Sequence, residues 1–224
     1  MKILAFDTSS AACSVALLNE EKITSRHELI PMQQAKQLLP MIDALLAADK
    51  IKPNQLDAIA FGCGPGSFTG VRIAVSVAAG LAYATQKPLI SISSLAAVAQ
   101  AAYDDLGWKQ LLVACDARIN EVYWAAYEVQ TDNLVHLNGI EQVTLPEAII
   151  HPGTDGWSGV GNAWDVYADK ISFKPDKVDI TRLPMATALI TLAKAKFSKQ
   201  EWVNAAEAVP VYLRDDVAKK SHQK

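Results

Sequence analysis

With 224 residues, half of them hydrophobic and a fifth charged, the chain has the composition of an ordinary globular protein and the length of one large domain or two small ones. A formal net charge of −3 excludes a nucleic-acid partner held by a strongly basic surface of this chain alone. Cys13, Cys63 and Cys115, an odd count with no C-x-x-C pair, read as reduced thiols of a cytoplasmic protein and argue against a disulfide or zinc framework. The N-terminus reaches Asp7 too soon for a signal-peptide core, and the longest apolar stretch, Val71 to Ala84, is interrupted by Arg72 and Gly80, so no membrane association is expected.

Ile3 to Phe6 reads as a strand ending in the polar turn Asp7-Thr8-Ser9-Ser10; Ala12 to Leu18 and Ile23 to Leu29 supply two more strands. Leu38, Ile42, Leu45 and Leu46 recur at helical spacing within residues 33 to 48, where Pro40 is expected to kink the helix. Asp57 to Phe61 is a buried strand, followed by a glycine-rich turn and a helix from Thr69 to Ala84. Leu89 to Ile92 is a strand, and Ser93 or Ser94 caps a helix to Tyr103. The order βββαβαβα implies a mixed sheet with helices on its faces.

Near Leu111 the opening recurs: Leu4-Ala5-Phe6-Asp7-Thr8-Ser9 lies over Val113-Ala114-Cys115-Asp116-Ala117-Arg118, each followed by a second apolar strand. Two unrelated hairpins that both use Asp as a turn former, or a duplicated fold, would each produce this pattern. The later half is eroded. Leu134 to Leu137 and Ile140 to Val143 read as two strands, Pro146 to Ile150 as a short helix and Trp157 to Val160 as a strand. Helices at Ala163 to Lys170 and Ala186 to Phe197 follow, and the polar run Lys219 to Lys224 is expected to be disordered. Trp124, Trp157, Trp164 and Trp202 are assigned to the core of this half.

The glycine run Gly62-Cys63-Gly64-Pro65-Gly66-Ser67-Phe68-Thr69-Gly70-Val71-Arg72 decides between a phosphate cradle and a packing turn. It lacks the Lys and hydroxyl of a P-loop, and no acidic residue ends the next strand as a dinucleotide fingerprint requires. A weak anion site at the N-terminus of the following helix stays open. That helix is apolar nearly all round, and Gly70, Ala74, Ala78 and Ala82 form a ridge of small side chains one turn apart. Packing against the sheet and contact with another subunit are both compatible with such a ridge. The scattered histidines His27, His136, His151 and His222 have no metal-ligand spacing, and Ser67 does not sit in a G-x-S-x-G elbow.

Gly64-Pro65-Gly66-Ser67-Phe68-Thr69-Gly70-Val71-Arg72-Ile73, with Leu56 to Ala60 and Leu38 to Ile42 before it, closely resembles the bacterial TsaB (YeaZ) family of tRNA threonylcarbamoyladenosine biosynthesis proteins. The opening Ile3 to Ser9, the stretch Asp116 to Tyr123 and the late Pro210-Val211-Tyr212-Leu213-Arg214 fit the same family, so the resemblance spans nearly the whole chain. It implies an α/β fold of the actin-like, hexokinase-like ATPase (ASKHA) type in two similar halves, residues 1–105 and 106–224, the second reduced. It also implies a non-catalytic subunit that dimerises with its paralogue TsaD. TsaE joins through that pair, tRNA is met indirectly through the complex, and a homodimer forms in isolation.

ATPases of this superfamily use D-x-G turns, whereas the matching turns here are Asp7-Thr8-Ser9 and Asp116-Ala117-Arg118. TsaD-like proteins carry H-x-x-x-H on their first long helix, and this chain has Gln33-Gln34-Ala35-Lys36-Gln37, so neither metal nor cofactor is expected. The partner interface is assigned to Leu38, Met41, Ile42, Leu45, Gly70, Ala74, Ala78, Leu81 and Ala82. A vestigial nucleotide or anion contact is assigned to Asp7, Ser9, Gly66, Ser67, Thr69, Asp116 and Arg118. Gly159-Val160-Gly161-Asn162 is read as a surface loop or as the remnant of a nucleotide-contacting turn. The alternative function is an independent kinase of the same superfamily, or a protease.

Overall fold

The computed structural model describes residues 1–153 and 156–214; the expected disordered tail, Lys219 to Lys224, lies outside the described residues. Strands β1 (Lys2–Asp7), β2 (Ala12–Asn19) and β3 (Lys22–Leu29) form an antiparallel meander. Helix α1 (Gln34–Ala48) runs through Pro40 without interruption and leads to β4 (Ala58–Gly62), which pairs parallel with β1. Helix α2 (Phe68–Thr85) starts at Ser67, whose hydroxyl accepts from the Gly70 amide, and ends at Gln86 in the left-handed conformation. β5 (Leu89–Ile92) pairs parallel with β4. The Ser93 hydroxyl caps α3 (Ser94–Leu106) by accepting from the Leu95 and Ala96 amides, and Gly107 at φ +71° closes it.

The second half repeats this plan in abbreviated form. β6 (Gln110–Arg118), β7 (Glu121–Val129) and β8 (Val135–Thr144) form the meander, and β9 (Ser158–Val160) and β10 (Lys177–Asp179) add in parallel. The two sheets have orders β3-β2-β1-β4-β5 and β8-β7-β6-β9-β10, which is one topology used twice. The counterpart of α1 is a single 3₁₀ turn, Pro146–Ala148, and the counterpart of α2 is α4 (Ala163–Val166), shorter than the helix read from sequence. The two strands expected at 134–137 and 140–143 are one, β8, interrupted near Gly139 at φ +95°, where the register against β7 shifts between Trp124 and Ala126. α5 (Ala186–Ser198) closes the plan.

Alternation along the strands sorts three cores. Ile3, Ala5, Ile90, Leu111, Val113 and Tyr127 point between the sheets and meet α3 and α5 in one shared core. The helices are exchanged there. α3, from the first half, packs on β6, β7, β8 and β9, whereas α5, from the second, packs on β1, β2, β4 and β5. On the outer face of the first sheet Leu4, Phe6, Val15, Leu17 and Phe61 are covered by α1 and α2. Phe6 and Phe61 sit side by side in register and are fully buried, at about 1.5–3 kcal/mol each for the burial. On the outer face of the second sheet Trp124, Trp157, Trp164 and Tyr167 stand where the long helices are missing. Trp202 does not join them: it lies beyond α5, partly exposed, its ring 5.2 Å from that of Phe197.

Candidate functional site

The glycine run is a clasp over the first polar turn. Any side chain at Gly62 would overlap the Asp7 carboxylate, and one at Gly66 would lie 2.5 Å from the Ser9 carbonyl oxygen. The Ser67 amide donates to that same Ser9 oxygen at 2.7 Å, and the Thr8 hydroxyl donates to the Gly70 carbonyl at 2.6 Å. In a phosphate-binding turn the amides would point into a cavity; here loop and turn satisfy one another.

Asp7 is 1 % exposed and is held from three sides. One carboxylate oxygen accepts from the Ser9 amide (2.7 Å) and hydroxyl (2.8 Å), the other from the Ser94 hydroxyl at 2.8 Å. Burial raises its pKa above the ordinary carboxylate value, and these donors pull against that shift. Asp7 therefore stands behind the turn as a packed carboxyl rather than facing the cleft.

Its counterpart differs. Asp116 lines a cleft of about 520 Å³ at the ends of β1 and β6, together with Ser9, Gly66, Ser67, Arg118, Asn162 and Arg214. Asp116 accepts from the Arg118 amide and the Tyr167 hydroxyl, both at 2.8 Å, and its own amide donates to Asn162 Oδ1 at 3.0 Å. Arg118, Ile119 and Asn120 all have φ near +60°, an unusual run without a glycine. The Arg118 guanidinium stands 3.5 Å from the Asp116 carboxylate and is mostly exposed at the cleft rim.

Of the residues read from sequence as an anion contact, five line one cleft; Asp7 lies behind it and Thr69 on the exposed surface of α2. The surface-loop reading of Gly159 to Asn162 is corrected. Gly159, Val160 and Gly161 are buried, a side chain at Gly161 would overlap the Ala114 carbonyl, and only Asn162 reaches the cleft. Sequence reasoning read Gly62 only as part of the glycine run and Ser94 only as a helix cap, and missed Tyr167; the role of each is defined by what it touches across the fold.

On the first long helix Gln34 donates its side-chain amide to the Ser10 carbonyl at 2.8 Å. Among the described residues no group of three potential metal ligands converges. Among the described residues none of His27, His136 and His151 lines the cleft, and the thiol there, Cys115, is pushed up to about 12 by burial.

The residues assigned to a partner interface are placed inward. Leu38, Met41, Ile42, Leu45, Gly70, Ala74, Ala78 and Ala82 are buried between α1, α2 and the first sheet, and Leu81 is partly buried beside them. A side chain at Gly70 would overlap the Thr8 carbonyl. The opposite faces of these helices are exposed and carry Leu39, Arg72, Ser76, Gly80 and Tyr83. α2 is long and apolar enough to cross a membrane by those two criteria, which corrects the reading of residues 71 to 84; its buried side packs on the sheet.

A duplicated pair of five-stranded mixed sheets with exchanged helices places the chain in the actin-like, hexokinase-like class. The family model described as TsaD, tRNA N6-adenosine threonylcarbamoyltransferase, matches residues 28–222. The chain is 38 % identical to the tRNA threonylcarbamoyladenosine biosynthesis protein TsaB of Escherichia coli, over 97 % of this chain and 96 % of that one. It is 40 % identical to the TsaB of Haemophilus influenzae, over 97 % and 95 %. The solved structure of YeaZ from Pseudomonas aeruginosa superposes with a TM-score of 0.91 at 44 % identity, covering 95 % of this chain and 99 % of that one. The chain belongs to the TsaB family.

Proposed function

We propose that the chain serves tRNA threonylcarbamoyladenosine biosynthesis as a non-catalytic subunit. It pairs in the cytoplasm with a TsaD-type transferase, through which TsaE and tRNA are reached, and self-associates when that partner is absent. The outer face of α2 carries this reading. Gly80 is an exposed helical glycine around which an added Cβ meets nothing within 4 Å. A glycine inside a helix costs about 0.5–1 kcal/mol relative to alanine, and among the described residues nothing calls for it. Ser76 and Ala84, one turn to either side, extend a small-residue strip beside Tyr83 at 77 % exposure, and the neighbouring α1 also carries an exposed leucine, Leu39. Such a strip admits another helix at close range. The buried residues first assigned to the interface then act as the backing that holds α1 and α2 in place.

The filled first turn and the arginine in the second turn support the absence of phosphoryl chemistry in the isolated chain. The test is co-elution of Gly80→Arg with TsaD, accompanied by a thermal melt. Gly80 is exposed and arginine is the better helix former, so the variant should melt at or slightly above the parent while losing the complex; a folded variant that still co-elutes with TsaD overturns the reading. ATP hydrolysis or peptide cleavage by the isolated chain, at a rate that addition of TsaD does not raise, would favour an independent enzyme.

A further inference from the structure

The motif Pro210-Val211-Tyr212-Leu213-Arg214 meets the outer face of α2 at Phe68 and Arg72, and its other contacts run elsewhere. After α5 the chain turns back to the first half, where Val203 exchanges two backbone hydrogen bonds with Leu89, at 2.8 and 2.9 Å. It continues past α2, and the Val211 amide donates to the Cys63 carbonyl at 2.7 Å. At this point Gly64 has φ +101°, and a Cβ on it would lie 2.8 Å from the Val211 carbonyl oxygen. The two backbones approach more closely than any side chain would permit, so the groove at Gly64 is shaped to this segment.

Next, the Tyr212 hydroxyl accepts from Arg72 Nε at 2.7 Å, and the Tyr212 ring lies 5.7 Å from that of Phe68, over which the Arg72 guanidinium is stacked at 3.5 Å. Two residues on, the chain reaches the second half. Arg214 Nη2 donates to the Ala117 and Arg118 carbonyls at 3.1 and 3.3 Å and forms an ion pair with Glu121, gripping both sides of the left-handed β6–β7 turn. Val211, Tyr212, Leu213 and Arg214 all line the cleft.

We infer that residues 209–214 form a latch across the mouth of this cleft, with the Tyr212–Arg72 clasp on the first half and Arg214 as the bolt that pins the β6–β7 turn. The latch fixes the width of the cleft mouth and holds Arg118, Ile119 and Asn120 in their left-handed conformation. All three contacts, two carbonyls and a carboxylate, fall on the one nitrogen Nη2, so a single cationic nitrogen pins the turn. The latch acts within one chain, whether or not that chain pairs with another protein.

The test uses the full chain with spin labels at Met32→Cys, which lines the cleft, and Ile119→Cys, in the β6–β7 turn beside Arg118, both highly exposed, and the separation is read by pulsed electron resonance. Backbone hydrogen exchange is followed in the same proteins. In Arg214→Ala the label separation should broaden, and exchange at Val211 and Arg118 should accelerate together by about ten- to hundredfold, the factor carried by a lost charge-assisted hydrogen bond. Arg214→Lys should fall between. Glu121→Gln should broaden the separation alone and add nothing in the Arg214→Ala background. Tyr212→Phe, which keeps the ring, should move the separation in the same direction by releasing the other end. If Val211 alone exchanges faster while the separation and Arg118 stay as in the parent, the segment is a tail lying on the surface and the latch is refuted.

Discussion

Replacing Gly70 by alanine places a methyl carbon 3.0 Å from the Thr8 carbonyl carbon, closer still to its oxygen, and 3.3 Å from the Ser9 Cα. All three neighbours are backbone atoms, so no side chain can swing aside. Relief requires separating the start of α2 from the β1–β2 turn, which also breaks the buried 2.6 Å bond from the Thr8 hydroxyl to the Gly70 carbonyl. Overpacking typically costs about 1–3 kcal/mol and a buried bond left unmade about 1–3 kcal/mol. The gain in helix propensity returns about 0.5–1 kcal/mol. A net loss of about 1–5.5 kcal/mol follows, which for a chain of this length lowers Tm by roughly 2–22 °C. Gly80→Ala is the internal control: the same substitution in the same helix, into open space, should raise Tm by about 1–4 °C. Thermal unfolding followed by circular dichroism at one concentration reads both. Should Gly70→Ala melt at or above the parent, the clasp between glycine loop and turn is not what the glycine serves.

Three further outcomes are expected. Because burial raises the Asp7 pKa above its unfolded value, its contribution to stability is fully present below the unfolded pKa of 3.8 and is lost as pH rises through the folded one. Urea unfolding of the parent and of Asp7→Asn across the acid range should therefore show the variant gaining relative to the parent with rising pH; a difference that is flat or of opposite slope counts against the assignment. Cys13, Cys63 and Cys115 are each pushed up to about 12 by burial, so a thiol reagent at pH 8 should label them slowly in the native protein and rapidly in urea. Trp164→Phe removes the indole bond to the Leu112 carbonyl (3.1 Å) and part of the outer core of the second sheet, and should destabilise by about 1–3 kcal/mol in the same urea titration.

The first five strands, α1, α2 and α3 were legible because each has enough length and periodicity to declare itself, down to the bounds of Leu89–Ile92. The duplication was legible in the two Asp-ended hairpins, although chance reuse of a turn residue would have looked the same. β10 was missed. Lys177-Val178-Asp179 is three residues long with little apolar pattern, and it exists through backbone pairing with β9. Gly139, at left-handed φ beside a shift in register, made the one strand β8 read as two. α2 posed the harder problem: a helix that is apolar nearly all round does not say which face turns inward. The small-residue ridge read as a partner surface is the buried one, and the exposed strip through Ser76 and Gly80 lies opposite.

What the amino-acid order determined by itself is local: where strands and helices start, which turn needs glycine, and which family carries this combination. The tertiary structure alone decided how equivalent residues diverge. Asp7 and Asp116 end matching strands in matching turns, yet Gly62 and Ser94 enclose the first while Tyr167 and Asn162 leave the second at a cleft. Likewise the exchange of α3 and α5 between sheets and the return of residues 209–214 across both halves depend on contacts between segments far apart in the chain. Such contacts follow from how whole faces pack, and local periodicity carries no record of them.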